Sequence, residues 1–524
     1  MLKGKIIIGI LFLALALFGC HSSSKNEAKI VRINLGDEPH TLDPRQARDP
    51  HAQMVVRMFF EGLTRIGAND RPEMAIARDF EVSEDLKTYV FHLQEAKWSN
   101  GDPVRASDFV YAWQKTLSPD FCSSNAYQLF ILKNGKAIKE GQLPADELGA
   151  VALDEKTLKV ELSRPIPYFL ELVALPFFFP VNQQIEEKEP KWAEKKETYV
   201  GNGPFSLEKW RHHDCILAKK NPHYWNANEV EIDGVEMIMV DGNTEMGLFE
   251  KKELHWAGSP LSSIPVDAIS QLKKEEKLIV KPRAETAFLR LNIKTFPLDQ
   301  PKLRKALALS INRNAIVEHV LQGGQLCAVG ILPPSMKLKE EGYFEDGAKE
   351  RAKELFEEVL NECEGKLPSL TLTYINSQRS HLIAQAIQQQ WFEALGVRIG
   401  LEAVERKVYF DRISRLDYDL AFCSWGADFH DPVDFLQVFQ YQSQNNPWEN
   451  SAYVETLNDS FSVANSDERR VLLAKCEQIL MDAMPIIPIF HYSALYMKDE
   501  KLENVVLSSL GNLDFKWARL ENPD

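Results

Sequence analysis

The chain has no apolar run long enough to cross a bilayer as a helix. Its longest, Ile6–Phe18, has 13 residues where roughly 20 are needed. It has no basic surplus either. Sixty-one Lys and Arg against 76 Asp and Glu give a formal net charge of −15, which argues against nucleic acid as the main ligand, because phosphate binding needs a basic surface. Seven cysteines in 524 residues are too few for a disulfide-stapled mini-fold. Beyond Cys20, the six at 122, 215, 327, 363, 423 and 476 form no CxxC pair and no zinc-like spacing, and their gaps imply no pairing. Catalytic signatures are missing as well: there is no GxxxxGK[ST] loop, no HExxH helix and no GxSxG elbow. Gly201-Asn202-Gly203 lacks the third glycine of a dinucleotide fingerprint. His212-His213-Asp214 reads as a solvated turn or strand end, since adjacent strand side chains point to opposite faces. The acid pairs Glu84/Asp85 and Glu38/Asp43 cannot be told from ordinary loop acids. No enzyme, metal or cofactor is expected.

What is present is a soluble globular composition, 44% hydrophobic and 26% charged, with 10 Trp and 28 Phe to fill large cores. A length of 524 residues implies two or three domains. At the N-terminus, Lys3 and Lys5 precede the apolar run, as in a secretory signal. Leu17-Phe18-Gly19-Cys20 resembles a bacterial lipobox, which implies a signal peptide over 1–19, diacylation of Cys20 and a lipid-anchored, extracytoplasmic protein. Residues 20–27 read as a flexible tether. Loss of the two lysines with the signal takes the net charge from −15 to −17.

Strand-like and helix-like stretches alternate after the tether. Residues 29–35, 89–93 and 157–162 alternate as strands, while 52–63 and the Phe109, Val110, Trp113, Leu117 stripe have helical spacing. Residues 370–375, a helix bearing Ile383, Ile387, Trp391 and Leu395, and 397–401 form a βαβ unit, which requires a parallel sheet covered by helices. The fold class is α/β with several sub-sheets.

Seven ordered stretches resemble the oligopeptide-binding proteins (OppA and DppA type) of bacterial peptide ABC transporters, the solute-binding protein family 5. They are Glu38-Pro39-His40-Thr41-Leu42-Asp43-Pro44; Phe60-Glu61-Gly62-Leu63 with Pro72 and Ala75; and Phe91 through Trp113, including Ala96-Lys97-Trp98-Ser99-Asn100-Gly101-Asp102-Pro103. They continue with Gly201-Asn202-Gly203-Pro204-Phe205, Asn221-Pro222-His223-Tyr224-Trp225, Leu303-Arg304-Lys305-Ala306-Leu307 with Asn312-Arg313, and Trp425-Gly426-Ala427-Asp428-Phe429-His430-Asp431-Pro432. The resemblance implies a periplasmic-binding-protein fold with two hinged lobes and an extra domain. Lobe I would comprise 28–55, 180–285 and 490–524, the extra domain II 56–179, and lobe III 286–489. Trp98, Trp113, Tyr224 and Trp225 read as core aromatics.

By the same resemblance Asp428 anchors the amine of a bound peptide, Ser424, Trp425 and Gly426 meet the peptide strand, and Glu38, His40 and Thr41 face it from the other lobe. Relatives of the enteric type carry an arginine six residues before the anchoring Asp. Here that residue is Phe422, so Arg412 or Arg415 would meet a terminal carboxylate, or solvent would mediate its capture, and His381 lies one residue off another family position used for longer peptides. The implied partners are an oligopeptide, an ABC permease and the membrane under Cys20, with the protein itself a monomer. Other readings are the same fold with another cargo (glutathione, a modified or signal peptide, a nickel chelate, haem), a surface peptidase, or an adhesin or sensor.

Overall fold

The computed structural model describes residues 28–365, 367–441 and 446–521. The signal peptide, Cys20 and the tether therefore lie outside the described residues. Alternation builds the first strand, Ile30–Asn34, whose Val31 and Ile33 are fully buried. It lies parallel to both Gly234–Ile238 and Trp256–Gly258 within an 11-stranded mixed sheet. Two 13-residue strands, Ile279–Leu291 and Ile486–Lys498, pair antiparallel in the middle of that sheet. They are its sole link, among the described residues, between the strands around Ile30–Asn34 and those around Leu420–Gly426. Their register shifts between Pro282 and Thr286 and again between Ala287 and Phe288, which bends the shared ribbon where the two halves meet.

At the far end of the sheet, Leu370–Ile375 and Ile399–Val404 are parallel, joined by the helix Gln378–Leu395. Ile383, Ile387 and Trp391 form the buried stripe of that helix, and Gly396 ends it in the left-handed region at φ 71°. The expected βαβ unit is thus present, its second strand displaced by two residues from 397 to Ile399. A separate antiparallel sheet of four strands runs in the order Ala77–Val82, Thr88–Leu93, Thr157–Glu161, Ala150–Ala152. The helix Ala106–Leu117 packs on it through Phe109, Ala112, Trp113 and Leu117, all with no exposed surface. Trp98, Trp113 and Tyr224 are core residues as expected; Trp225 is half-buried and donates its indole N–H to Glu61 Oε2 at 2.6 Å.

The helix expected over 52–63 runs instead from Pro50 to Phe59, and Phe60 is extended at φ −128°, ψ 157°. The apolar spacing continued past the helix because Leu63 is buried from an extended backbone, whose carbonyl accepts the N–H groups of Ala75 and Ala77. A Cβ at Gly62 would stand 2.4 Å from the Val173 carbonyl oxygen. Gly62→Ala should therefore lower the unfolding free energy by about 1–3 kcal/mol. Gly247→Ala, in a helix with nothing within 4 Å of the added Cβ, should be neutral or stabilise by up to about 1 kcal/mol. Urea melts of both variants check this; equal effects would contradict the packing described.

Candidate ligand-binding site

The strand Leu420–Gly426 changes character halfway. Leu420, Ala421 and Phe422 are buried, Cys423 and Trp425 half-buried, and Ser424 and Gly426 exposed. On one side it pairs with Ile279–Leu291 along its full length, from Leu291↔Leu420 to Glu285↔Gly426. On the other side Leu370–Ile375 meets it only at Leu420 and Ala421. From Phe422 to Gly426, no described strand covers that second edge. Among the described residues, the backbone partner there is the Tyr409 hydroxyl, which donates to the Phe422 carbonyl at 2.9 Å. Alternate residues of such an edge offer N–H and C=O groups to an incoming extended chain.

The open edge leads directly to Asp428. Ala427 N–H still donates to the Ala284 carbonyl at 2.8 Å, and the chain then turns. The Asp428 backbone N–H and the Trp425 indole N–H both donate to Asp434 Oδ2, at 3.2 and 3.0 Å. Asp434 is 1% exposed, and burial, then the charge of Asp428, pushes its carboxyl well above the usual range. Asp428 keeps surface open to solvent, yet protein on the remaining sides withholds water and pushes its carboxyl up too, opposed by a hydrogen bond from the Gln128 side chain. Gln128 also donates to the Tyr127 hydroxyl at 3.1 Å, so both residues of the short helix Ala126–Ile131 face this acid. The loop beyond Asp428 is pinned twice. Phe429 stacks on Tyr168 with centroids 4.9 Å apart, and Asp431 takes both Arg469 Nη atoms at 2.7 and 2.8 Å. A positive charge placed beside Asp428 would favour ionisation of both raised carboxyls.

The other expected site residues have local partners. Glu38 accepts from the Trp210 indole at 2.8 Å, His212 Nδ1 at 2.9 Å and the His213 N–H at 2.8 Å. Burial raises its carboxyl, but these bonds outweigh it and hold the carboxyl below the ordinary value. The His212–His213 turn is thus an acid-tied hairpin end. His40 bonds Asp49 and the Gln46 carbonyl, and Thr41 Oγ1 accepts from the Asp43 N–H at 3.1 Å. Asp43 itself forms a buried ion pair with Arg45 at 2.7 Å. Among the described residues, none of these contacts reaches the open edge. Arg412 pairs with Glu402 at 2.5 Å and Arg415 with Asp411 at 2.9 Å, so each guanidinium already has a carboxylate. His381 Nδ1 meets the Tyr374 hydroxyl at 2.6 Å in the first turn of Gln378–Leu395, beside the point where Leu370–Ile375 leaves the open edge. Phe422 packs into the core against Phe490. Ser424 Oγ donates to Glu285 Oε1 at 3.1 Å. A Cβ at Gly426 would make an ordinary 3.6 Å contact with Glu285, so packing within the protein does not require glycine there.

Asp434, Gln128 and Tyr127 were not anticipated. Asp434 had a signal, six residues beyond Asp428 in an acid-rich loop, but its partner is a backbone N–H that only the turn supplies. Among the described residues no group of three or more His, Cys, Asp or Glu could hold a metal ion, and all six described cysteines are free.

Comparison with known proteins fits this geometry. The family described as Bacterial extracellular solute-binding proteins, family 5 Middle, matches residues 71–447. The chain belongs to this family. The Oligopeptide-binding protein OppA of Bacillus subtilis is 39% identical over 516 residues, covering 95% of each chain. The MppA periplasmic murein tripeptide-binding protein in its unliganded open form superposes with a TM-score of 0.84 at 26% identity, over 94% of this chain and 98% of that one. Haemophilus influenzae OppA in complex with the peptide RPPGFSPFR gives 0.72 at 28% identity, over 94% and 99%. Family 5 members are extracellular solute-binding proteins with two lobes and an extra domain, the architecture of the mixed sheet and the separate four-stranded sheet.

Close to Asp431 lies Glu171, 6% exposed, with Oε2 unpartnered; burial first, then Asp431, raises its carboxyl to about 8. The folded chain therefore holds a proton that the unfolded chain releases near pH 4.5, and stability falls as pH rises from there to about 8. Glu171→Gln should leave stability at pH 4.5 nearly unchanged and raise it at pH 8 by about 2–4 kcal/mol. Denaturant titrations at the two pH values measure this, and an equal effect at both would contradict it.

Proposed function

We propose that this protein is an extracytoplasmic solute-binding protein, lipid-anchored through Cys20, that captures oligopeptides and delivers them to an ABC permease. The observation that carries the reading is an uncovered strand edge, Phe422–Gly426, ending at the desolvated acid Asp428. A peptide adding itself to that edge is bonded through its backbone, which every sequence shares, so affinity becomes largely independent of side chains. The α-ammonium is the other constant of unmodified peptides, and Asp428 meets it. Ser424, Trp425 and Gly426 line the first peptide residues. Glu38, His40 and Thr41 shape the opposing wall through the hairpin turn that Glu38 holds, and Arg412, Arg415 and His381 serve the helices flanking the edge. B. subtilis OppA and the H. influenzae peptide complex lend support by name and ligand.

In this reading 28–55, 180–285 and 490–524 form lobe I, 56–179 the extra domain and 286–489 lobe III, hinged where Ile279–Leu291 and Ile486–Lys498 lose register. Closure would expel water and strengthen the ammonium–Asp428 pair. The tether keeps the loaded monomer near its permease at high effective concentration. The protein returns peptides intact, unlike a peptidase. By calorimetry Asp428→Asn should weaken peptide affinity by about 2–5 kcal/mol, as for a desolvated charge pair missing one partner. Unchanged affinity, or cleaved peptide in the cell after titration, would overturn the reading.

A further inference from the structure

We propose that Asp434 is a positioning residue and proton store for the Asp428 site, so that capture of a positively charged chain end releases a proton from the Asp428–Asp434 pair. The inference rests on the peptide reading above and adds a regulation of that site by pH. Its basis is geometric. Asp434 Oδ2 receives the N–H of Asp428 itself and the indole N–H of Trp425, so one buried carboxyl fixes both the acid and the aromatic at the end of the open edge.

The groups around the pair are acidic or neutral. Asp428 and Asp431 stand on the loop that leads into Asp434's short helix, Val433–Leu436, and the phenols of Tyr127 and Tyr168 act on it from the elements packed against it. Of the nearby cations, Arg469 is bidentate to Asp431, and Arg164 lies over the Phe461 ring and acts on the Tyr168 phenol. His430, with both ring nitrogens unpartnered, is buried and disfavoured as a cation, so it offers no charge to balance a second anion. Two neighbouring carboxyls in such surroundings titrate as a unit, and the second ionisation is opposed by the first. An ammonium at Asp428 reverses this, because an opposite charge within about 4–6 Å favours the ionised form. The O–H bond of the shared proton breaks, the proton passes to solvent, and the pair faces the ammonium as carboxylates. No bond to the peptide forms or breaks.

The experiment is calorimetry of the full chain with a short unblocked peptide at pH 6.5, in two buffers of different ionisation enthalpy. There the peptide's own amine is almost fully protonated and contributes little proton exchange. Net proton release is expected, seen as a binding heat that differs between the two buffers. Asp434→Asn keeps an oxygen to accept both N–H groups but holds no titrating proton, so it should still bind peptide with the buffer dependence lost. Binding without buffer-dependent heat in the unaltered protein would overturn the proposal and leave the peptide reading intact, whatever the folding of the variant. Equal release in protein and variant would also overturn it. Absence of any peptide binding would instead refute the function proposed above.

Discussion

An exposed carboxylate, bound through its own backbone N–H to a second, buried carboxylate, is an unfavourable arrangement until a cation arrives. Burial of Asp434, and protein packed behind the solvent-exposed Asp428, raise both carboxyls above the ordinary value. The rest of the site keeps that pair in place. Tyr168 stacks on Phe429, Arg469 grips Asp431, and the Trp425 indole ties the strand end to Asp434. Remove the pinning and the loop could turn its acids to bulk water, where they would ionise freely and discriminate little.

The open edge and the acid are useful only together. In the proposed function, main-chain groups along Phe422–Gly426 would bind any extended chain, and the acid would set where that chain begins. The edge is open because Leu370–Ile375 diverges after Ala421, while Ile279–Leu291 continues alongside to Gly426. That continuing strand is also half of the ribbon joining the two ends of the large sheet, so binding surface and bend are built on one element.

Much of this was legible in the residues. Period-two alternation located Ile30–Asn34 and Thr88–Leu93, and a helical stripe located Gln378–Leu395 with its flanking parallel strands. Family motifs gave the two-lobed fold with its extra domain, and membership bears that out. The long strand Ile279–Leu291 was not marked, since half of it is exposed and half buried on both faces, which erases any single period. Partners were the other blind spot. Glu38 carries a motif position, yet the donors that bind it sit on a hairpin more than 170 residues away. The same holds for Arg412 and Arg415, whose neighbours Glu402 and Asp411 take up their charges. Asp434 is ordinary as a letter and unusual only as a neighbour.

Affinity for one short peptide, measured with its amine free and with it acetylated, tests the central claim most directly. The chain-end account expects the acetylated form to bind at least tenfold more weakly, about 1.4 kcal/mol or more. Equal binding of the two forms would contradict it.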